Sequence, residues 1–346
     1  MKKKSLTILF AFTIALLSFI AGGFAYHAGV FSTFKQSLIS LHPIESPTTV
    51  PEIEPSFSFE FLNNPSLASL NRIRLDENSK PLKFLVAGHI YDKLDESSSY
   101  PAMTLLANLA LFREEDFDML FLLGDIVWNS TNENFENLEK YFLTQVKIPI
   151  FNAVGNHDVA RREIYEERYG STVYAFEYKQ NLFIILDTNL KYYDLTSDEV
   201  TFIKSVITDK LQTKNITHIH ILMHHVLFLE DEEIIGKQVI KPNSGDGASE
   251  TFRKLIEDVL YPASASAPLH IYAGDVGAFG NLSPLYKKSE THPIYFFATG
   301  LGNNEEDSVL IVEENLDSTL SVTPFSLSGN EMLAIEDYNF EYWLKQ

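Results

Sequence analysis

The chain has 346 residues, 45% of them hydrophobic, and a formal charge of −20 at neutral pH. That is enough for one large domain or two ordinary ones with a sizeable core. The acidity excludes a DNA or RNA partner, because no basic patch extends beyond Lys287-Lys288 and Arg161-Arg162. There is no cysteine, so disulfides and thiolate metal sites are excluded and any metal must be held by His, Asp, Glu or Asn.

In chain order, Lys2, Lys3 and Lys4 precede an uncharged apolar stretch over residues 6–25. At ~1.5 Å per residue, a helix of that length spans the ~30 Å hydrocarbon layer of a bilayer. Residues 1–26 therefore read as a single membrane anchor, with the lysines in the cytoplasm and the bulk of the chain outside. A cleaved signal peptide is the rival reading, although Gly23-Phe24-Ala25 is only a fair cleavage site. Residues 27–80 read as a stalk and lead-in. Pro43, Pro47, Pro51 and Pro55 recur every four residues among Ser, Thr and Glu, a pattern that favours an extended, semi-stiff chain.

From Pro81 the pattern changes. Short apolar runs end in polar residues: 83–87 at Gly88-His89, 119–123 at Gly124-Asp125, 148–154 at Gly155-Asn156, 182–186 at Asp187, 219–223 at His224-His225, and 269–273 at Gly274-Asp275. Their length is that of buried strands. Helical periodicity lies between several of them, over 101–112, 135–146, 197–212 (capped at Thr196 or Ser197) and 250–260. Residues 174–177 and 182–186 suggest a hairpin, and 294–298, 309–312 and 320–322 further strands of a second sheet. The alternation predicts an α/β domain over 81–325, followed by a tail over 326–346. Its polar residues gather at the C-terminal strand ends, where α/β sheets bind ligands.

Gly155-Asn156-His157-Asp158, preceded by Gly124-Asp125 and followed by His224-His225, each at a strand end, resembles the calcineurin-like metallophosphoesterase family. The resemblance covers roughly residues 81–323. It implies a sandwich of two central mixed β-sheets flanked by α-helices. It also implies two divalent metals that hold a phosphate and generate a hydroxide from bound water. On this resemblance Asp125 matches the bridging carboxylate, and Asn156 and His224 match ligands of the second metal. His89 matches the histidine of the family's first motif, His157 the residue that protonates the leaving oxygen, and Asp158 the acid that orients His157 by a hydrogen bond. His225 is expected to face the substrate.

Two departures are evident. Ala87 stands where the first motif has Asp, and Asp275 and Gly277 stand where the fifth motif has two histidines. The second metal keeps Asp125, Asn156, His224 and, as a substitute, Asp275. The first keeps Asp125 and His89, with Asp92 as a loop residue that could help. The expected cofactor is thus one tightly bound divalent ion (Mn, Mg, Fe, Zn or Ni), with at most a second weak one. Asp187, His218, His220, His270 and His292 are read as structural.

Two functions follow. One is hydrolysis of a phosphate mono- or diester at the extracytoplasmic membrane face, on an envelope glycan or lipid-linked substrate. The alternative is a catalytically altered or inactive relative acting as a binding or assembly factor in envelope polysaccharide metabolism.

Overall fold

The computed structural model describes residues 59–76, 78–92, 98–113, 116–229, 249–278 and 282–345. The expected anchor over 1–26 and most of the expected stalk lie outside these residues. Among the described residues, no helix is long and apolar enough to cross a membrane.

Among the described residues, twelve strands make two sheets. The larger has the order β1 (Phe59–Phe61), β5 (Val173–Tyr178), β6 (Asn181–Ile185), β7 (His218–Met223), β8 (Leu269–Ala273), β10 (Ile294–Ala298) and β9 (Leu285–Lys288). The smaller has the order β12 (Leu320–Ser326), β11 (Ser308–Glu314), β2 (Lys83–Ala87), β3 (Met119–Leu122) and β4 (Ile150–Asn152). The strands β2, β3 and β4 run parallel, as do β6, β7 and β8, so their C-terminal ends open toward the same edge of each sheet. Residues of these strands are almost wholly buried, which is why they read as continuous apolar runs rather than alternating ones.

Three apolar clusters define the layers. Between the sheets lie aromatic side chains, among them Phe84, Phe121, Phe151, Phe176, Phe183 and Tyr272. On the outer face of the larger sheet, a second cluster receives Ile203, Val206 and Ile207 together with Phe252 and Leu255. Outside the smaller sheet, a third receives Leu105, Phe135, Leu138, Tyr165 and Tyr169. These residues come from helices α1 (Met103–Ala107), α2 (Asn132–Leu138), α3 (Arg162–Tyr169), α4 (Ser197–Thr213) and α5 (Glu250–Leu255). The result is the expected sandwich of two mixed sheets flanked by helices. α2 and α5 run on into single wide turns, Glu139–Leu143 and Ile256–Leu260.

The packed unit is wider than the boundaries drawn at 81 and 325. β1 adds a parallel strand beside β5, in register from Phe59 against Val173. Leu70 and Leu75 are buried, and Leu70 N–H donates to Ile150 O at 2.8 Å. At the other end Ile335 and Tyr338 are buried, and the Trp343 indole donates to Pro284 O at 3.1 Å. The elements of both segments are only three or four residues long, too short to show a periodicity.

His220 and His270 lie between the sheets, and His220 stacks on Phe183 at 4.6 Å. Burial pushes both below the ordinary histidine range, so they are neutral aromatic filling. Asp187 is fully buried and paired with Arg162 at 2.6 Å, a structural role.

α4 opens with a reciprocal cap. Thr196 Oγ1 accepts from Glu199 N–H, and the Glu199 carboxylate accepts from Thr196 N–H. The other Glu199 oxygen accepts from Asp187 N–H. Burial raises the Glu199 carboxyl to about 7. Between the ordinary glutamate value and that pH, the folded chain holds a proton that the unfolded chain releases, so stability falls as pH rises through this window. The full contribution is about 3 kcal/mol. Glu199→Gln is expected to flatten the dependence of unfolding free energy on pH between 5 and 7, as read by denaturant titration.

Candidate metal centre

The candidate residues come from five strand ends. His89 follows β2, Asp125 follows β3, Asn156 to Asp158 follow β4, His224 and His225 follow β7, and Asp275 follows β8. Their meeting point is Asp125. His89 Nε2 lies 3.6 Å from its Oδ2, His157 Nε2 lies 4.0 Å from the same oxygen, and His224 Nε2 lies 3.5 Å from its Oδ1. On its far side His224 Nε2 is 3.7 Å from Asp275 Oδ1. Asn156 sits between two residues that touch Asp125: His157 N–H donates to Asp125 Oδ1 at 3.2 Å, and Gly155 lies hard against the carboxylate.

The backbone is bent to bring these groups in. His89 and Asp125 take positive φ, 50° and 53°, which is uncommon for residues with a Cβ and costs of order 1–3 kcal/mol each. Such strain persists where surrounding contacts over-determine it. Here His89 N–H donates to Gly124 O and Ile90 N–H to Asp125 O, both at 3.0 Å.

Three histidines share one device. Nδ1 of His89, His157 and His224 faces a backbone carbonyl: Leu301 O at 3.0 Å, Trp128 O at 2.6 Å and Leu123 O at 2.7 Å. A carbonyl can only accept, so the proton sits on Nδ1 and Nε2 turns its lone pair toward the site. Burial drives His89 down to about 4, which keeps it neutral. Burial also opposes charge on His224, but the Asp125 and Asp275 carboxylates outweigh it and raise its pKa. The centre is therefore built around negative charge. Asp125, Asp158 and Asp275 are all buried, which favours a cation among them.

Asp158 does not orient His157, contrary to what the resemblance implies. Its Oδ1 accepts from Ile126 and Val127 N–H at 2.8 and 3.3 Å, and its Oδ2 accepts from Gly155 N–H at 2.8 Å. It ties the loop after β3 to the loop after β4, fixing Asp125 relative to Asn156. Burial, with Asp125 nearby, raises its carboxyl to about 7. The ring of His157 is instead set by the Trp128 carbonyl and stacks on the Trp128 indole at 4.7 Å. The sequence offered no signal for a carbonyl partner, since any residue can supply one.

Asp92 is turned elsewhere, with its carboxylate hydrogen-bonded to Asn303. Ala87 is fully buried at the end of β2. Gly277 is more than an absent ligand. Its φ is 90°, and a Cβ there would collide with Gly300 O. The loop after β8 is folded against residues 300 and 301, where a side chain has no room. Tyr91, which the sequence did not single out, packs on His89 at 4.3 Å and on His157 at 5.3 Å. Burial, then the carboxylates of Asp125, Asp275 and Asp158, keeps its phenol protonated.

A divalent metal fits these residues. Asn156 Oδ1 and His224 Nε2 are buried with no hydrogen-bond partner, and a buried polar atom of that kind costs about 1–3 kcal/mol unless something meets it. His224, His225 and Asp275 each offer a ligand atom within 4.8 Å of one another. An amide oxygen, imidazoles and carboxylates suit Mn, Fe, Zn or Ni.

A calcineurin-like phosphoesterase family model matches residues 82–237, the part of the chain that supplies every candidate ligand except Asp275. Residues 82–237 thus resemble calcineurin-like phosphoesterases, a family whose chemistry is divalent-metal-dependent hydrolysis of phosphate esters. Among solved structures it is similar to a purple acid phosphatase from yellow lupin (Lupinus luteus) seeds, at 13% identity and a TM-score of 0.50, over 74% of this chain and 53% of that one. The chain thus spans about half the length of that phosphatase, and at this identity the likeness is one of fold. Weaker similarities reach Vps29 of Chaetomium thermophilum (9% identity, TM-score 0.29, 71% of this chain and 97% of that one). A cold-active protein-tyrosine phosphatase of a psychrophilic Shewanella species is similar at 9% identity and a TM-score of 0.29, over 73% of this chain and 83% of that one. No curated protein matches the chain.

Proposed function

We propose that the protein is a metal-dependent phosphoesterase that hydrolyses a phosphate mono- or diester with water. The observation that carries this reading is the buried, partnerless pair Asn156 Oδ1 and His224 Nε2 beside the Asp125 carboxylate. A divalent ion held by Asp125, Asn156, His224 and Asp275 would neutralise phosphate charge and supply hydroxide near neutral pH. His157 then has the geometry of an acid. Its Nδ1–H is committed to Trp128 O, so a proton carried at Nε2 is free to pass to the leaving oxygen. Its imidazole is also the most open of the site histidines, with about a quarter of the side chain exposed. Tyr91 and Trp128 pack against the ring, at 5.3 and 4.7 Å, and hold its orientation.

His157→Ala is expected to slow hydrolysis by about 10²–10⁴-fold on esters with poor leaving groups. Esters of acidic phenols, whose departing oxygen needs little protonation, should lose much less. Rates on an alkyl and a nitrophenyl phosphate with Mn present check this, and equal losses on both would remove His157 from the acid role.

The position of the reaction is part of the proposal. The lysine cluster and apolar stretch at residues 1–26 support a single anchor that places the catalytic domain outside the membrane. An envelope glycan or lipid-linked phosphoester is the substrate class that fits there. Fractionation should find the intact chain in membranes and open to protease from the exported side. A soluble form starting near Tyr26 would replace the anchor with a signal peptide. The altered-chemistry reading, a binding or assembly factor for envelope polysaccharide, draws support from Ala87 and from the way the Gly277 loop is folded. Failure to hydrolyse a broad panel of phosphoesters while metal binding persists would favour it.

A further inference from the structure

We infer that His225 is a ligand of the tight metal rather than a substrate contact, so that two adjacent imidazoles from the end of β7 grip one ion. This rests on the metal site proposed above and names a residue outside the four assigned to it. The His225 ring lies 4.8 Å from that of His224 and nearly perpendicular to it, at 75°. One of its nitrogens falls within 4.8 Å of a His224 nitrogen and an Asp275 oxygen.

The tautomer follows from hydrogen bonding. His225 Nδ1 is 2.5 Å from Thr188 Oγ1, while Nε2 is buried and has no hydrogen-bond partner. Were the proton on Nε2, the site would contain a buried donor with nothing to receive it. With the proton on Nδ1, it is donated to Thr188 Oγ1, and Nε2 keeps a lone pair that no protein group meets. Tyr193 packs against the ring with centroids 4.3 Å apart, tilted by 51°, and itself takes a positive φ of 53°. The ring is therefore held by Thr188 and Tyr193 together.

This changes the metal the site prefers. Asp275 in place of an imidazole would by itself tilt the site toward hard ions such as Mg. A second imidazole from His225 restores the nitrogen count and tilts it back toward Mn, Fe, Zn or Ni. Asp275 replaces the lost fifth-motif ligand with an oxygen, and the imidazole nitrogen is restored from β7.

The test uses the purified full chain and Mn²⁺ alone, with no substrate. Pulsed electron spin resonance counts the nitrogens coupled to the bound ion, and titration calorimetry gives affinities for Mn²⁺ and Mg²⁺. In the unmodified protein two imidazole nitrogens should couple. His225→Ala and His225→Gln should each remove one, weaken Mn²⁺ by at least about tenfold, and narrow the preference for Mn²⁺ over Mg²⁺. Thr188→Val should weaken Mn²⁺ by less while keeping both couplings. Unchanged nitrogen count and selectivity in both His225 variants, with His224→Ala losing the ion, would overturn this inference and leave the proposed site standing. An ion still bound at unchanged affinity in His224→Ala would overturn the site itself. Thermal unfolding of each metal-free variant separates loss of a ligand from loss of fold, and His225→Gln retains most of the packing if the alanine variant unfolds.

Discussion

Asp125→Asn is expected to remove both metal retention and hydrolysis, with activity down at least about 10³-fold. Three candidate histidines point Nε2 at this one carboxylate from 3.5 to 4.0 Å. The substitution is nearly isosteric and keeps an oxygen able to accept from His157 N–H, so the loops should remain in place. Stability separates the two roles. In the native chain a saturating ion should raise the melting temperature, because binding at 100 times Kd adds about 2.7 kcal/mol. In Asp125→Asn that rise should vanish while the metal-free melting temperature stays within a few degrees. A variant that still hydrolyses phosphoesters with Mn would show that the chemistry is centred elsewhere.

Gly155→Ala should be as damaging for a different reason. A Cβ at this position would stand 2.9 Å from Asp125 Cγ and closer still to its Oδ1 and backbone N. Those atoms cannot step aside. Asp125 is buried, takes positive φ, and is tied by the hydrogen bond from His157 N–H. Gly155 N–H is itself bound to Asp158 Oδ2, so the β4 loop cannot retreat without breaking that link. The methyl group therefore strains the fold by about 1–3 kcal/mol and moves the carboxylate away from Nε2 of its histidines. Denaturant unfolding should show the loss of stability and metal analysis the loss of the ion. The same substitution at Gly170, where a Cβ meets nothing within 4 Å, is the control for general effects of added side-chain bulk, although its own φ of 90° adds local strain.

Much of this was legible in the sequence because the strands that carry the site are buried on both faces. Such strands write themselves as unbroken apolar runs, and the first polar residue after each run marks its C-terminal end. That is how Asp125, Asn156 and His224 could be placed at one edge before any contact was known. Elements with mixed faces were harder. α3 buries only Tyr165 and Tyr169 among charged neighbours, so it shows no apolar stripe. β1 and β9 are edge strands of three and four residues, too short for periodicity. The wide turns after α2 and α5 blurred the ends of two helices that were otherwise found.

Within the site, ligand candidates were legible and their supports were not. Trp128, Leu123 and Leu301 act through backbone carbonyls, which carry no signature in side-chain identity. Asp158 was assigned to His157 by its place in the motif, yet its carboxylate bridges two loops through backbone N–H groups. Gly277 was read as a deleted ligand, whereas its positive φ and contact with Gly300 make it a requirement of the loop as folded here.

In the proposed centre the loss of family ligands is one-sided, leaving a single firm site around His224 and a depleted one around His89. Metal analysis of the purified chain, after saturation with Mn and removal of free ions by gel filtration, tests this most directly. About one ion should be retained per chain. His89→Ala should leave that number intact, and Asn156→Ala or Asp275→Ala should lower it. Two retained ions per chain, or none under saturating conditions, would contradict it.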